Sequence, residues 1–502
     1  MINPGTVPRV WGVDLSTVPR VKLFYVWRFH IMLSSKKCLK QTFFRYAVPS
    51  LITQWVYALY TIVDSLFVAR GVSGAAFTAV NLSFPFISLI FSLSLVLAVG
   101  TSAVIGLFLG NGETEKANQV FTQNLFVQLI LGILIPLIVL PNLRSIAVLL
   151  GAPDEETLQY TVKYLTWIVP FSFIFLASYS FDILSRTDGF PKLSAKLMIL
   201  AALLNCFLDW LFVIVLKKGV EGAAFATSLA QTAEVVIYMR HFLLKKGALR
   251  FTAFPFRPML LIRVILNGFS SGLTELSSGL SIFMFNHAIL RYLSSEALMS
   301  YAVIAYINSL VVMSTTGIAQ GVQPLISYFR GRREHETVQK LLWYSVGFAS
   351  IFCTASVFFC TIFGNPLAFM YLGNDNAALI PYTAGMLRIY VLSFIPLAFN
   401  ISIGGFFTAI ERPAAALLIS VGRGMIFLIA ALSVLTDLFA GAGIFWAPLL
   451  SESLCFVMSA ILLIRESRST ASYPGCTVWG FQKLVREGLF FGLWKTQDKK
   501  AA

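Results

Sequence analysis

Two aspartates lie within stretches of the chain that otherwise consist almost entirely of apolar residues. Asp64 ends the segment YTIVD, and Asp209 follows Asn205 by four residues in LLNCFLDWLF. A carboxylate at the centre of a membrane helix costs roughly 2.5 to 3.5 kcal/mol on insertion scales, and an ionisable residue at that depth marks a functional site by default. Because residues i and i+4 share one face of a helix, Asn205 and Asp209 are predicted to point the same way, as are Tyr60 and Asp64.

The chemistry that these residue types support is the binding of a small monovalent cation. Carboxylate, amide and hydroxyl oxygens are hard ligands that suit sodium or a shared proton, and two carboxylates are too few for a divalent cage. A proton competes with sodium because buried carboxyl groups brought together favour the neutral acid. The structural alternative is that Asp209 caps a helix end or pairs with Lys217 or Lys218, two turns further on.

The segments that carry these residues are predicted to be membrane helices. Of the 502 residues, 57% are hydrophobic and 12% are charged, and the mean hydropathy is +0.79. Soluble domains contain about 45 to 50% apolar residues, so the composition favours a polytopic all-α membrane protein. Apolar stretches of about 20 residues or more recur along the chain. The twelve predicted spans are 42–68, 77–109, 117–140, 158–184, 191–216, 220–244, 259–290, 297–329, 338–363, 379–408, 413–436 and 441–464.

The basic residues predict the orientation of these spans, because Lys and Arg near helix ends remain on the cytoplasmic side. They concentrate in both tails and in the loops on the same side, so both termini are predicted to be cytoplasmic. The most basic loop, from Met239 to Arg263, contains six Lys and Arg. The net charge of +15 is then explained by contacts of juxtamembrane segments with anionic lipids, without any nucleic acid.

Motifs of enzymes and of metal or nucleotide sites are not visible in the sequence. There is no Gly-rich phosphate loop, no serine nucleophile elbow and no HExxH spacing. The six cysteines contain no CxxC pair and imply neither a disulfide framework nor a zinc site. We therefore expect a protein that is not an enzyme and that has no cofactor.

An internal duplication organises the twelve spans. The segment GTSAVIGLFLGNGETEKANQ from Gly100 and the segment GVQPLISYFRGRREHETVQK from Gly321 share two glycines ten residues apart and lie 221 positions from each other. Three further matches occur in the same order at offsets of 221 or 222. Since six spans per repeat is an even number, both copies begin on the same side of the membrane. Transporters built in this way place their sites near the midplane.

In this context the sequence resembles the multidrug and toxic compound extrusion (MATE) family, over roughly Phe43 to Ile464. The resemblance is carried, in order, by YTIVDSLFVAR, VGTSAVIGLFLGNGETEKA, LLGAP, SRTDGFPK, LLNCFLDWLFV, GVEGAAFATSLAQ and GIFWAPLLSE. It implies a V-shaped pair of pseudo-symmetric six-helix lobes that export organic, often cationic, compounds in exchange for protons or sodium ions. The rival interpretation from the same superfamily is a flippase for lipid-linked precursors, which would be expected to have a more cationic central cavity.

The resemblance also implies roles for particular residues. The coupling cation would bind to Asp64, Asn205, Asp209 and Thr227, with a backbone carbonyl from Ala223, and Tyr60 accompanies Asp64 on its helix. An acid at the position of Glu275 is associated in similar members with cationic substrate or coupling. Gln54 and Asn286 are polar candidates for the wall of the substrate cavity. The roles of the other intramembrane charges stay open between salt bridges and function: Asp182, Glu234, Arg388, Arg423 and Glu452.

The predicted organisation follows from the spans. It comprises a cytoplasmic amino-terminal tail (1–41), an N-lobe (42–244), a cytoplasmic linker (245–258), a C-lobe (259–464) and a cytoplasmic carboxy-terminal tail (465–502). We expect a monomer that crosses the inner (plasma) membrane many times and meets small-molecule drugs and lipids as its partners. In the second tail, the segment from Trp479 is amphipathic enough to lie on the membrane surface.

Overall fold

The computed structural model describes residues 36–152, 154–374 and 376–471, and in these ranges the chain is almost wholly helical, without a β-strand. Most of both predicted tails, including the amphipathic segment from Trp479, lies outside the described residues. The α-helices of the first half are α1 (Lys36–Gly71), α2 (Gly74–Gly110), α3 (Thr114–Val139), α4 (Leu143–Leu149), α5 (Glu155–Ile168), α6 (Ser172–Thr187), α7 (Pro191–Asp209) and α8 (Gly219–Leu243).

The second half repeats this order of elements. Its α-helices are α9 (Pro258–Tyr292), α10 (Ser295–Gly331), α11 (His335–Ile362), α12 (Gly364–Leu372), α13 (Ile380–Tyr390), α14 (Phe394–Ala409), α15 (Pro413–Val421), α16 (Phe427–Phe439) and α17 (Ala447–Ala471). Short 3-10 turns join α5 to α6 and α13 to α14, so each of these pairs forms one long span. The short helices α4 and α12 occupy equivalent places between the third and fourth spans of each half.

Every one of the twelve predicted spans falls on one of these helices or helix pairs, which confirms the all-α polytopic prediction. By length and composition, ten helical stretches in the described residues can cross a membrane, and one of them, Pro413–Arg468, contains the last two predicted spans. The sixth predicted span, α8, is not among the ten stretches. It carries Glu221, Glu234 and Arg240 in addition to several hydroxyl and amide side chains, so its mean hydropathy is lower.

The duplication predicted from the sequence recurs in the backbone. Ser73 and Ser294 each cap a long helix by accepting a hydrogen bond from the backbone N–H three residues on, and they lie 221 positions apart. The chain reverses through positive φ at two related pairs of positions, Gly112 with Arg333 and Gly151 with Gly373. A positive φ strains a residue that carries a Cβ atom. Arg333 has a positive φ nevertheless, so the second half keeps the turn geometry at a position where it does not keep the glycine.

The described chain divides into two compact units. Unit 1 contains the residues up to Gly272 together with Gln320–Ser327, and unit 2 contains Leu273–Ala319 and the residues from Tyr328 onward. Both α9 and α10 contribute residues to both units, whereas the sequence placed the lobe boundaries in the loop before α9. The lobe boundaries 42–244 and 259–464 stay a prediction.

Glycines allow two helix backbones within unit 1 to approach each other closely. A Cβ atom added to Gly100 of α2 would lie 1.9 Å from the carbonyl oxygen of Val264, and one added to Gly268 of α9 would lie 1.8 Å from the carbonyl oxygen of Val96. No side chain fits at either position without moving a backbone. The two glycines therefore fix the distance between α2 and the first part of α9.

The loop after α8 is held by a buried carboxylate outside the membrane spans. Asp188, between α6 and α7, accepts a hydrogen bond of 2.8 Å from the N–H of Leu249, and its Oδ2 lies 3.0 Å from Nε2 of His241. A Cβ atom on Gly247 would lie 1.7 Å from the same carboxylate, so this position requires glycine. Burial raises the pKa of Asp188, and the hydrogen bonds from His241 and the Leu249 amide oppose that rise.

We expect Gly268→Ala to lower stability by about 1 to 3 kcal/mol, because the added methyl group overlaps a backbone carbonyl that cannot rotate away. The matched control is Gly279→Ala on the same helix, where a Cβ atom meets nothing within 4 Å. Alanine favours the helical state over glycine by up to about 1 kcal/mol, so the control is expected to be neutral or stabilising. Thermal denaturation of the purified variants in detergent measures both, and equal melting temperatures would contradict the close approach of α2 and α9.

Candidate functional site

Three helices of unit 1 bring the predicted cation ligands together. The helix α1 packs along α7, and α7 packs against α8. Asp64 lies on α1, Asn205 and Asp209 lie on α7, and Thr227 lies on α8. We call these four side chains, with the tyrosines described below, the acid pocket.

The backbone changes its hydrogen-bonding pattern directly after Asp209. There α7 ends and a π-helical turn covers Trp210–Val215, in which the N–H of Leu216 donates to the carbonyl oxygen of Leu211 at 2.8 Å. Such turns widen a helix locally and occur frequently at functional sites. The sequence WLFVIV gives no sign of this turn, because its apolar residues fit an ordinary membrane helix equally well.

The carboxyl groups of Asp64 and Asp209 face each other closely enough to share a hydrogen bond once one of them carries a proton. Asp209 is 0% exposed, and neither of its oxygens has a hydrogen-bond partner, nor has Oδ1 of Asp64. Among the described residues, the only charged neighbour that acts on either carboxyl group is the other aspartate. Two carboxylates can only accept hydrogen bonds, so a proton or a cation is required to bind them together.

Asn205 lies one turn before Asp209 on the same face of α7. Its Nδ2 donates to Oγ1 of Thr227 at 3.3 Å, and its Oδ1 is buried without a hydrogen-bond partner. With the two aspartates, this leaves four oxygen atoms in the pocket that lack a donor. Ala223 lies one turn before Thr227 on α8 and is buried, and its carbonyl belongs to the backbone hydrogen bonds of that helix.

Two tyrosines complete the pocket. Tyr60 lies one turn before Asp64 on α1, and both Tyr60 and Tyr164 interact electrostatically with Asp64 and Asp209. Tyr164 on α5 is almost fully buried and packs in the same apolar cluster as Ala223. The sequence analysis missed Tyr164, because a tyrosine in an apolar span carries no signal that separates it from the many aromatic residues around it. Its phenolic O–H is a donor that a carboxylate can use.

The residues predicted for the substrate cavity belong to both units. Gln54 is half-buried on α1, ten residues and therefore about 15 Å from Asp64 along the helix. Glu275 and Asn286 belong to α9 in unit 2, and eleven residues, or about 16 Å of helix, separate them. Glu275 has an exposed side chain, and Asn286 is half-buried.

The structural alternatives weighed for Asp209 are wrong. Lys217 and Lys218 are exposed and form no ion pair with Asp209, whose oxygens have no hydrogen-bond partner in the described structure. Asp209 does not cap a helix either: it directly precedes the π-helical turn, but its side chain makes no capping hydrogen bond. In the described part of the chain, no group of three or more His, Cys, Asp or Glu side chains could hold a metal ion.

Two of the intramembrane charges of unit 2, Arg423 and Glu452, form an ion pair. Nε of Arg423 lies 2.6 Å from Oε1 of Glu452, and Nδ2 of Asn400 donates to Oε2 of Glu452 at 2.7 Å. Ser459 in turn donates to Oδ1 of Asn400 at 3.1 Å. Arg423 lies in a π-helical turn, Gly422–Ile426, between α15 and α16. This pair balances its own charge, so it fits a structural role.

Two of the remaining charges also have partners. Arg388 is exposed and its Nε donates to the carbonyl oxygen of Thr361 at 3.3 Å. Asp182 forms a buried ion pair with Arg186, the residue one turn later on α6. Glu234 is buried without an ion pair in the described residues, which sets it apart from these groups.

Fold and site together define a polytopic helical membrane protein with an unpaired acid pocket in one of two related halves. The family model MatE matches residues 49–211 and 273–432. The chain therefore belongs to the MATE family of membrane transporters.

Relatives with names and solved structures are similar over most of the chain. Multidrug export protein MepA of Staphylococcus saprophyticus is 24% identical over 426 residues, which cover 84% of this chain and 92% of the relative. MepA of Staphylococcus aureus matches with the same identity and coverage. The outward-facing structure of a multidrug resistance MATE family transporter of the MOP superfamily superposes with a TM-score of 0.82 at 21% identity, covering 87% of this chain and 97% of its own.

A further solved structure has the same fold with different pocket chemistry. A MOP superfamily transporter from Pyrococcus furiosus, described as having a binding pocket of reverse polarity that suggests a different function, superposes with a TM-score of 0.78 at 22% identity. The match covers 84% of this chain and 95% of that one. At this level of identity the solved structures establish the fold alone.

We expect Arg423→Met to destabilise the protein by about 3 to 5 kcal/mol, because it leaves the buried carboxylate of Glu452 without its cation. The double variant Arg423→Met with Glu452→Leu removes both charges and is expected to recover most of the loss. Melting temperatures of the purified proteins measure the difference. If the double variant is as unstable as the single one, charge balance is not what this pair contributes.

Proposed function

We propose that this protein is a secondary active exporter of organic, often cationic, compounds, driven by the inward movement of protons or sodium ions. Membership of the MATE family and similarity to named multidrug export proteins support the export of small molecules. The single observation that supports ion coupling is the pair of facing carboxyl groups, Asp64 and Asp209, which has no basic partner. The proposed location is the plasma membrane, with both termini in the cytoplasm.

The acid pocket matches the needs of a coupling site for a monovalent cation. A site that alternately binds and releases an ion must not contain a permanent counter-charge, because a fixed Arg or Lys would compete for the carboxylates. The pocket contains two acids, and four of its oxygen atoms accept no hydrogen bond. Either one sodium ion with oxygen ligands or one shared proton satisfies this arrangement.

Binding of the cation can drive the conformational cycle through a difference in affinity between two states. A ligand shifts an equilibrium only as far as its affinities for the two states differ. The pair on α1 and α7 is stable when a cation bridges it, and without one the two carboxylates repel each other. A conformation that separates Asp64 from Asp209, or exposes them to water, is therefore favoured when the pocket is empty of cation. We propose that this exchange is coupled to release of substrate on the outside and to its binding on the inside.

The proposed substrate is a small organic compound, and the carboxyl group of Glu275 favours a positive charge on it. Gln54 and Asn286 remain proposed as polar residues of the substrate cavity. Each of these side chains is at least partly exposed within its own unit, as contact with a substrate requires. The coupling ion needs no organic cofactor.

The alternative of a lipid-linked precursor flippase is less compatible with the acid pocket. A pyrophosphate group carries negative charge, so unpaired carboxylates would repel it. Glu275 adds a further acid on α9 in unit 2. No arginine or lysine of the described residues acts on Asp64, Asp209 or Glu275.

We expect Asp209→Asn and Asp64→Asn each to abolish gradient-driven efflux of a cationic dye. Asparagine keeps the size of the side chain but cannot exchange a proton or supply a charge, so the dye can still bind while the cycle loses its driving force. The measurement is the initial rate of dye transport in proteoliposomes, compared with liposomes that contain no protein.

The control for this prediction is Asp437→Asn, which makes the same chemical change at an exposed position of α16 in unit 2. It is expected to keep the transport rate of the unmodified protein. Unchanged dye efflux in both pocket variants would reject the coupling role of the pair.

The identity of the ion follows from imposed gradients. We expect dye transport in proteoliposomes when a proton gradient or a sodium gradient is applied alone, and we expect Asp209→Asn to remove the response to whichever ion is effective. A gradient of magnesium should have no effect, because the pocket contains only two carboxylates. Transport that proceeds equally without either gradient would show that the protein is a facilitator rather than an antiporter.

A further inference from the structure

A second carboxyl group of unit 1 is buried without a compensating charge. Glu234 on α8 is 4% exposed, and its Oε2 accepts a hydrogen bond of 2.7 Å from Oγ of Ser178 on α6. It forms no ion pair with any described residue. An isolated carboxylate in such surroundings is much more costly than a neutral acid, because burial removes it from bulk solvent and no described basic residue pairs with it.

The arginine of this cluster, Arg186, is already paired with another acid. Arg186 forms an ion pair with Oδ2 of Asp182, and its other terminal nitrogen donates to Ser50 at 3.2 Å. The remaining oxygen of Asp182, Oδ1, accepts hydrogen bonds from Ser194 and from the hydroxyl of Tyr238. Both oxygens of Asp182 thus have partners among the described residues. No positive charge is left in this cluster for Glu234.

The groups that face Glu234 increase its need for a neutralising partner. Within the described part of the chain, Asp182 is the only charged group that acts on Glu234, and its charge has the same sign. Ser178 and Tyr238 contribute hydroxyl groups, which carry no charge. Two acids and one arginine leave one negative charge in a space closed to solvent. A proton is the smallest ligand that removes this charge, and the oxygen set is too small for a metal ion.

We propose that Glu234 is a second proton-binding site of this protein, one that holds its proton while Asp182 stays paired with Arg186. The site is separate from the acid pocket, because Glu234 lies seven residues beyond Thr227, which is about 10 Å along α8. Seven residues are two helical turns, so both side chains lie on the same face of α8.

This position gives the second proton a role in the transport cycle. His241 lies a further seven residues along the same face of α8, next to the buried Asp188. Glu234 is therefore midway between the acid pocket and the end of α8 that is predicted to be cytoplasmic. We assign it the role of a station on the path of the proton: Glu234 first gives up its own proton toward that end and is then protonated again from the pocket. In this second step an O–H bond of the pocket acid breaks and an O–H bond forms on Glu234, and intervening water carries the proton over the distance of about 10 Å. The role rests on the proposed ion coupling, whereas the protonation itself does not.

The experiment measures protonation directly and does not depend on transport. Infrared spectra of the purified protein at neutral pH are recorded in a background that carries Asp64→Asn and Asp209→Asn, which removes the carboxyl groups of the acid pocket. We expect a band from a protonated carboxylic acid that disappears in Glu234→Gln. The matched control is Glu221→Gln in the first turn of the same helix, which should leave the band unchanged.

A second variant, Ser178→Ala, tests the proposal even if Glu234→Gln does not fold. Ser178→Ala keeps the carboxyl group and removes the hydroxyl that donates to it, so the acid band is expected to shift in frequency without vanishing. A spectrum in which neither variant changes any carboxylic-acid band at neutral pH would mean that Glu234 is ionised, and would overturn the proposal. Failure of ion coupling in the dye assay, with the band still assigned to Glu234, would instead reject only the transport role.

Discussion

An ionised side chain inside a helical bundle in lipid needs a partner of opposite charge, and the cost of leaving it unpaired governs what each buried acid of this protein can do. In unit 2, Glu452 is bound by Arg423 and Asn400, so its charge is permanently balanced. In unit 1, Asp64 and Asp209 have only each other. A buried acid is therefore paired with a base in one half of the duplicated chain. In the other half two buried acids have no basic partner among the described residues, and we propose that an exchangeable ion binds them.

The helices around the acid pocket hold Asp64 and Asp209 close together although no described basic residue pairs with them. The π-helical turn after Asp209 interrupts the regular hydrogen bonding of the helix, and the tightly packed glycines Gly100 and Gly268 fix the spacing of two other helices in unit 1. Packing of this kind has discrete rather than continuous alternatives, so a change in the charge of the pocket can favour one arrangement over another. The amide of Asn205 is held by Thr227, which leaves its Oδ1 without a hydrogen-bond partner in the described structure.

Much of the fold was predictable because the relevant signals are local. Apolar runs long enough to cross a bilayer gave all twelve spans, and the offset of 221 residues between Gly100 and Gly321 gave the duplication. Asp209 was identifiable because a charge in an apolar run is rare and costly. Tyr164 was not, because an aromatic residue in a membrane span is common. Asp182 was left open between a salt bridge and function, because the sequence does not show which residue lies against it.

The sequence by itself determined that this is a duplicated helical membrane protein and that acids lie within its spans, since hydropathy and charge are properties of residue types. It also placed Asn205 and Asp209 on one helical face, because a periodicity of 3.6 residues decides that. Only the tertiary structure decided which acids are unpaired, because pairing depends on contacts between helices that are distant in the sequence. Asp64 meets Asp209 across 145 positions of chain, and Glu452 meets Arg423 across 29. No local sequence pattern indicates whether a buried acid will meet another acid or an arginine. The first contact leaves negative charge unbalanced, and the second balances it.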